Sequence, residues 1–112
     1  MNAQLIKKIV DEMFRLLEIK LSNRFLLLMG LHAIQSMADS FIDQIANDLI
    51  SKKKLTAGSI LDANVIKLVI EELFNYIEAK LKGKFILLLV INAIQTLAEN
   101  LVDQILVNVP KI

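Results

Sequence analysis

The chain has 112 residues, enough for one domain that buries roughly two-thirds of its unfolded surface. Its hydrophobic content of 55% exceeds the roughly 45–50% of an ordinary globular chain, even with Gly counted in the latter. Thirteen Lys+Arg against 12 Asp+Glu leave a net charge of +1, which excludes the strongly basic balance of a nucleic-acid-binding domain, and the absence of Cys excludes disulfides, thiolate zinc sites and a cysteine nucleophile.

Three Gly and one Pro leave little material for turns, so few, long elements are expected. Ile6, Ile9, Val10, Met13, Phe14, Leu17 and Leu21 recur at three- and four-residue steps, while Lys7, Lys8, Asp11, Glu12, Arg15 and Glu18 fall between them. That spacing predicts an amphipathic first helix with Glu12 on its solvated face and an Asp11–Arg15 pair in the favourable acid-then-base order. Ser22-Asn23-Arg24 breaks it, Asn being tolerant of the left-handed conformation at a helix C-terminus. The second helix opens with an all-apolar run and continues on the stripe Ile34, Met37, Ala38, Phe41, Ile42 and Ile45. Ser51 to Ser59 reads as a basic connector, with Ser59 or Asp62 as N-cap of the third helix. Lys82-Gly83-Lys84 marks the next turn, with a Glu78–Lys82 pair before it. A fourth helix then carries the stripe Ile94, Leu97, Ala98, Leu101, Val102 and Ile105 and stops at Pro110.

The two halves are copies. At an offset of 60 residues, 17 of the 41 positions from Leu5/Val65 to Ile45/Ile105 are identical, among them Glu12/Glu72, Phe14/Phe74, Glu18/Glu78 and Phe25/Phe85. The trios Ala33-Ile34-Gln35 and Ala93-Ile94-Gln95 match, as do Asp43-Gln44-Ile45 and Asp103-Gln104-Ile105. Neither helical hairpin can hide its apolar stripes alone, so the expected fold is an all-α four-helix bundle of two tandem, duplicated hairpins in up-down-up-down order. It forms one domain over 1–112, with repeat 1 at about 3–50, the connector at 51–59 and repeat 2 at about 60–110. A second helix of about 26 residues spans roughly 40 Å, whereas a connector of about ten residues reaches at most roughly 33 Å, which favours both hairpin turns at one end. Asp39, Asp43, Glu99 and Asp103 are then expected at the waist.

The informative excess is the pair of runs Phe25, Leu26, Leu27, Leu28, Met29, Gly30, Leu31 and Phe85, Ile86, Leu87, Leu88, Leu89, Val90, Ile91. Each is apolar on every side for two turns, more than the roughly 100° face that a small bundle covers. The uncovered part is expected between subunits, against a lipid or apolar ligand, or inside an unusually buried helix. Seven residues make about 10 Å of helix against roughly 30 Å of hydrocarbon, so no convincing transmembrane span is expected. The N-terminus carries no pattern of a secretion signal, and an intracellular or virion location is expected. Lys20, Arg24, Lys80, Lys82 and Lys84 at the turn end, and Lys52, Lys53 and Lys54 at the other, are candidate anion contacts for nucleic acid or anionic lipid.

Catalytic signatures are missing. His32 is the only histidine and its counterpart is Asn92, so it reads as a partly buried structural residue; no Glu has a His three residues on, as a carboxylate-bridged di-metal bundle requires. The retained acids Glu12/Glu72, Glu18/Glu78 and Asp43/Asp103 read as solvated charges, and Gln35/Gln95 as boundary residues. Phe14, Phe25, Phe41, Phe74 and Phe85 do not interleave with basic residues as on a stacking platform, and Met13, Met29 and Met37 read as packing filler. No metal, no cofactor and no enzymatic activity are expected.

The reading is a non-enzymatic, self-associating structural protein, a homo-oligomer or larger assembly built through the apolar runs. The alternatives are a carrier of lipid or another apolar ligand, a membrane-surface binder, and an adaptor to a larger partner. The small, hydrophobic, duplicated helical design resembles coat proteins of archaeal spindle-shaped and filamentous viruses. The resemblance implies repeated subunits that bury apolar flanks against one another and supplies no site residues. The near-neutral charge points away from direct genome wrapping.

Overall fold

The computed structural model describes residues 3–52 and 61–109; Lys53, Lys54, Ser59 and Pro110 lie outside the described residues. The described chain is all-α, with helices α1 (Ala3–Lys20), α2 (Phe25–Ser51), α3 (Ala63–Lys80), α4 (Phe85–Glu99) and α5 (Val102–Asn108). The stripe read from the first helix is the core: Ile6, Ile9, Val10, Met13, Phe14 and Leu17 are all buried, as are the matching Ile66, Val69, Ile70, Leu73, Phe74 and Ile77 of α3. Burying each such side chain contributes about 1.5–3 kcal/mol, so these twelve positions supply a large part of the hydrophobic stabilisation. Asp62 caps α3, its carboxylate accepting from Val65 N at 2.9 Å.

Polar contacts set the register. Lys7 reaches Asp39 at 3.4 Å and His32 reaches Glu18 at 3.3 Å, which runs α2 antiparallel to α1. Tyr76 donates to Asp48 and stacks on Phe41 with ring centroids 5.4 Å apart, and Lys52 reaches Glu72 at 3.2 Å, which runs α3 antiparallel to α2. The N-terminal halves of α2 and α4 meet at Gly30, where an added methyl would sit 2.5 Å from Val90 Cγ1. Gly30 is therefore demanded by a close helix approach rather than by a turn.

Three local expectations are corrected. The acids Glu12 and Glu72 are buried, at 4% and 6% exposure, instead of solvated. Arg15 forks onto both carboxylate oxygens of Glu12 rather than pairing with Asp11, which takes Lys7 at 3.4 Å. The Glu78–Lys82 pair does not form, because α3 ends at Lys80 and Lys82 belongs to the turn. A fourth difference concerns the last helix. In place of one long element the second copy has α4 and α5, bent by 57° at Asn100-Leu101. There the backbone tightens, with Leu101 N donating to Ala98 O at 3.0 Å, three residues back. Asn is a weaker helix former than the average interior residue, and the bend accompanies burial of Ile105 and Val109 and a 3.3 Å contact from Asn108 to Glu12.

Candidate functional site

The two turns are built alike. Leu21 and Leu81, at 1% and 6% exposure, anchor them in the core; Arg24 N donates to Leu21 O at 2.9 Å and Lys84 N to Leu81 O at 3.0 Å. Gly83 takes φ 92°, the left-handed conformation that the second turn was expected to need. The helices that follow start at Phe25 and Phe85. Arg24 and Lys84 occupy their N-cap positions, where an acceptor side chain usually stands, and neither makes a side-chain cap bond. Both turns flank one groove of about 660 Å³, lined on α2 by Leu26, Met29, Gly30 and Ala33 and on the other side by Lys84, Phe85, Ile86, Leu87 and Val90.

The apolar runs divide by exposure. Phe25 (74%), Leu26 (74%), Met29 (55%), Phe85 (80%), Ile86 (81%) and Leu89 (70%) are uncovered. Leu27, Leu28, Leu87, Leu88 and Val90 are half-buried, and Leu31 and Ile91 are core. Large apolar side chains this open, six in two neighbouring helical starts, exceed what an isolated soluble domain ordinarily leaves to water. Met29 is thus a wall of the groove, whereas packing filler describes the buried Met13 and the half-buried Met37, which packs against the core.

Starting at the groove wall, each copy carries an exposed strip without charge. On α2 it runs through Leu26, Met29, Ala33, Ser36, Ser40 and Gln44, and on α4 through Ile86, Leu89, Ala93 and Thr96. These residues recur at three- and four-residue steps and so share one side of each helix. Ser36, Ser40 and Thr96 turn their hydroxyls back onto the carbonyls of Ala33, Met37 and Asn92, which lowers the polarity they present.

Cations surround the turn end. Lys20, Arg24, Lys80, Lys82 and Lys84 are all exposed, and among the described residues none of them forms an ion pair. Lys52, the described candidate at the other end, is instead engaged by Glu72. Glu12 is held below the ordinary carboxylate range by its hydrogen bonds from Arg15, against the opposing effect of burial. Asp11, and then Asp39, raise the Lys7 ammonium.

The remaining candidates are ordinary surface or packing residues. His32 is exposed rather than partly buried and leans on Glu18; Gln35, Asp43 and Asp103 face solvent; Gln95 is half-buried and donates to Glu99 at 3.3 Å. Among the described residues no three His, Asp or Glu side chains gather as a metal site. α2 passes a length-and-composition test for crossing a membrane, with mean hydropathy 1.4 over 18 residues of which 28% are buried, and α4 with α5 passes only as a bent pair. The expectation of no convincing span, drawn from the short runs, missed that Ala, Ser and Gly keep α2 nearly uncharged as far as Asp39. Length and composition do not separate such a helix from a core helix, and α2 also carries Asp43 and Asp48.

No protein-family model matches the chain, and no curated protein and no solved structure is significantly similar to it.

Proposed function

We propose that the chain is a non-enzymatic structural subunit, a four-helix bundle of two duplicated hairpins that assembles with copies of itself in the manner of a coat protein. The observation that supports this reading is the charge-free strip present once on each copy, at Met29 and Ala33 and again at Leu89 and Ala93. A surface meant to meet its own duplicate benefits from neutrality, because any net charge would be doubled across the contact. Duplication gives each subunit two such strips, and contacts of one strip on another propagate from chain to chain instead of closing at a pair. Coats and filaments are assembled by contacts of this kind.

The test is light scattering coupled to size exclusion over a hundredfold range of concentration without detergent. Met29→Glu with Leu89→Glu places a charge in the middle of each strip at sites that are 55% and 70% exposed, so the fold tolerates both. These sites are better probes than Leu28 and Leu88, which are half-buried and whose loss would also weaken the core. The expected result is a large wild-type species and a helical 12.6 kDa monomer for the double variant. A wild-type monomer at all concentrations, or an assembly that ignores both charges, would sink the reading.

A further inference from the structure

The turn end differs in kind from the strips. Phe25 and Phe85 are the first residues of their helices, 74% and 80% exposed, with Leu26 and Ile86 directly behind them. Around them stand Lys20, Arg24, Lys80, Lys82 and Lys84, none ion-paired among the described residues. Of the two acids nearest in sequence, Glu18 is occupied by His32 and Glu78 is half-buried. A second copy's turn end is a poor occupant, since five cations would face five. An acidic partner without an apolar face would satisfy the lysines and leave the Phe rings in water. One kind of surface meets both halves of the pattern, an anionic lipid bilayer, in which the rings and branched chains enter the acyl boundary while the ammonium and guanidinium groups remain among the headgroup phosphates.

From this juxtaposition we infer that the turn end is a docking surface for anionic membranes. It inserts Phe25, Leu26, Phe85 and Ile86 and holds lipid phosphates with Arg24, Lys82, Lys84 and their neighbours. The middle of each strip, at Met29 and Leu89, lies outside this contact, which shares only the strip ends Leu26 and Ile86 with lateral assembly.

The experiment is co-sedimentation of the full chain with phosphatidylcholine vesicles containing 30 mol% phosphatidylglycerol, and with phosphatidylcholine vesicles alone, at low and high salt. Binding is expected on the anionic vesicles, weakening as salt rises, with much weaker binding on neutral ones. Each basic residue near an anionic surface is worth about 1 kcal/mol, so Arg24→Gln with Lys82→Gln and Lys84→Gln should lower the partition coefficient on the order of a hundredfold. Phe25→Ser with Phe85→Ser should lower binding to both vesicle types and leave helical content unchanged, as both rings lie outside the core. Equal binding to neutral vesicles would overturn the inference, as would a cation variant that binds like wild type. Binding to duplex DNA that the Phe25→Ser/Phe85→Ser variant retains, with no vesicle binding by wild type, would reassign the cations to nucleic-acid phosphate and overturn it too. Repeating the assay with Met29→Glu/Leu89→Glu separates the two readings: that variant is expected to dock as a monomer, and its failure to dock while wild type does would mean that the bilayer reads the assembled strips rather than the turn end.

Discussion

The two copies solve the same packing problem with different residues. Each buries a carboxylate at the same position, but Glu12 is gripped from its own helix by Arg15 and from α5 by Asn108, whereas Glu72, which has Asn75 where the first copy has Arg15, is reached by Lys52 from the end of α2. The first copy keeps its second helix unbroken for 27 residues; the second copy divides it into 15 and 7. At the helix crossing the equivalent residues are Gly30 and Val90, and they touch each other. Across the aligned halves the hydrophobic pattern is kept while the partners of the buried acid differ, because a buried carboxylate needs a hydrogen-bonding partner but not a particular one.

The sharpest way to break this comparison is to empty equivalent core sites. Phe14→Ala and Phe74→Ala should each cost about 3–5 kcal/mol in chemical denaturation, since both rings are at most 2% exposed. Near-equal losses would show that the copies share one core; a gap of several kcal/mol between them would show that one copy carries the stability of the chain.

Symmetrising the helix crossing should have the next largest effect. Gly30→Val puts a methyl 2.5 Å from the stiff, β-branched Val90, an overpacking expected to cost about 1–3 kcal/mol. Adding Val90→Ala should recover much of that loss, and a double variant no more stable than Gly30→Val would mean that the clash is not where the cost arises. The two buried acids are compared by pH. Because the folded-state value of Glu12 is depressed by Arg15, its stabilisation is fully present above the ordinary carboxylate value of 4.5 and is lost as pH falls through the lower folded value. Urea midpoints measured between neutral and strongly acid pH should therefore fall less steeply for Glu12→Gln than for wild type. Identical slopes would remove Glu12 from the acid response.

The smallest effect concerns the turns. Gly83→Ala meets no atom within 4 Å, so its expected cost of about 1 kcal/mol comes from the positive φ alone. Gly83→Asn, which copies the first turn, should cost less. Equal penalties would show that something other than backbone conformation selects Gly there.

Much of this molecule was legible in its sequence. Helical spacing located α1 to α4, and every apolar residue of the first stripe proved to be core, because a 3.6-residue period leaves one side of a helix to be buried whatever its neighbour is. The surplus of the apolar runs foretold uncovered surface, since two turns that are apolar all round outnumber the directions a small bundle can cover. What spacing could not tell was which six of the fourteen run residues stay open, because Leu28 and Met29 are equally apolar and differ only in the direction that packing leaves them. Glu12 was misread for a related reason. It lies beside buried Ile9 and half-buried Leu5 and Leu16 on the wheel, and Arg15 from its own helix and Asn108 from a segment 96 residues away make its burial tolerable.

The sequence by itself determined an all-helical chain, its internal repeat, its core stripes and an excess of apolar surface, for these follow from local periodicity and composition. The tertiary structure decided the rest: the buried carboxylates, the bend at Asn100, the Gly30–Val90 contact and the gathering around Phe25 and Phe85 of five cations that are unpaired among the described residues. Each of these depends on which helix ends arrive side by side, and that is set by long-range packing between residues tens of positions apart, where no local pattern reaches.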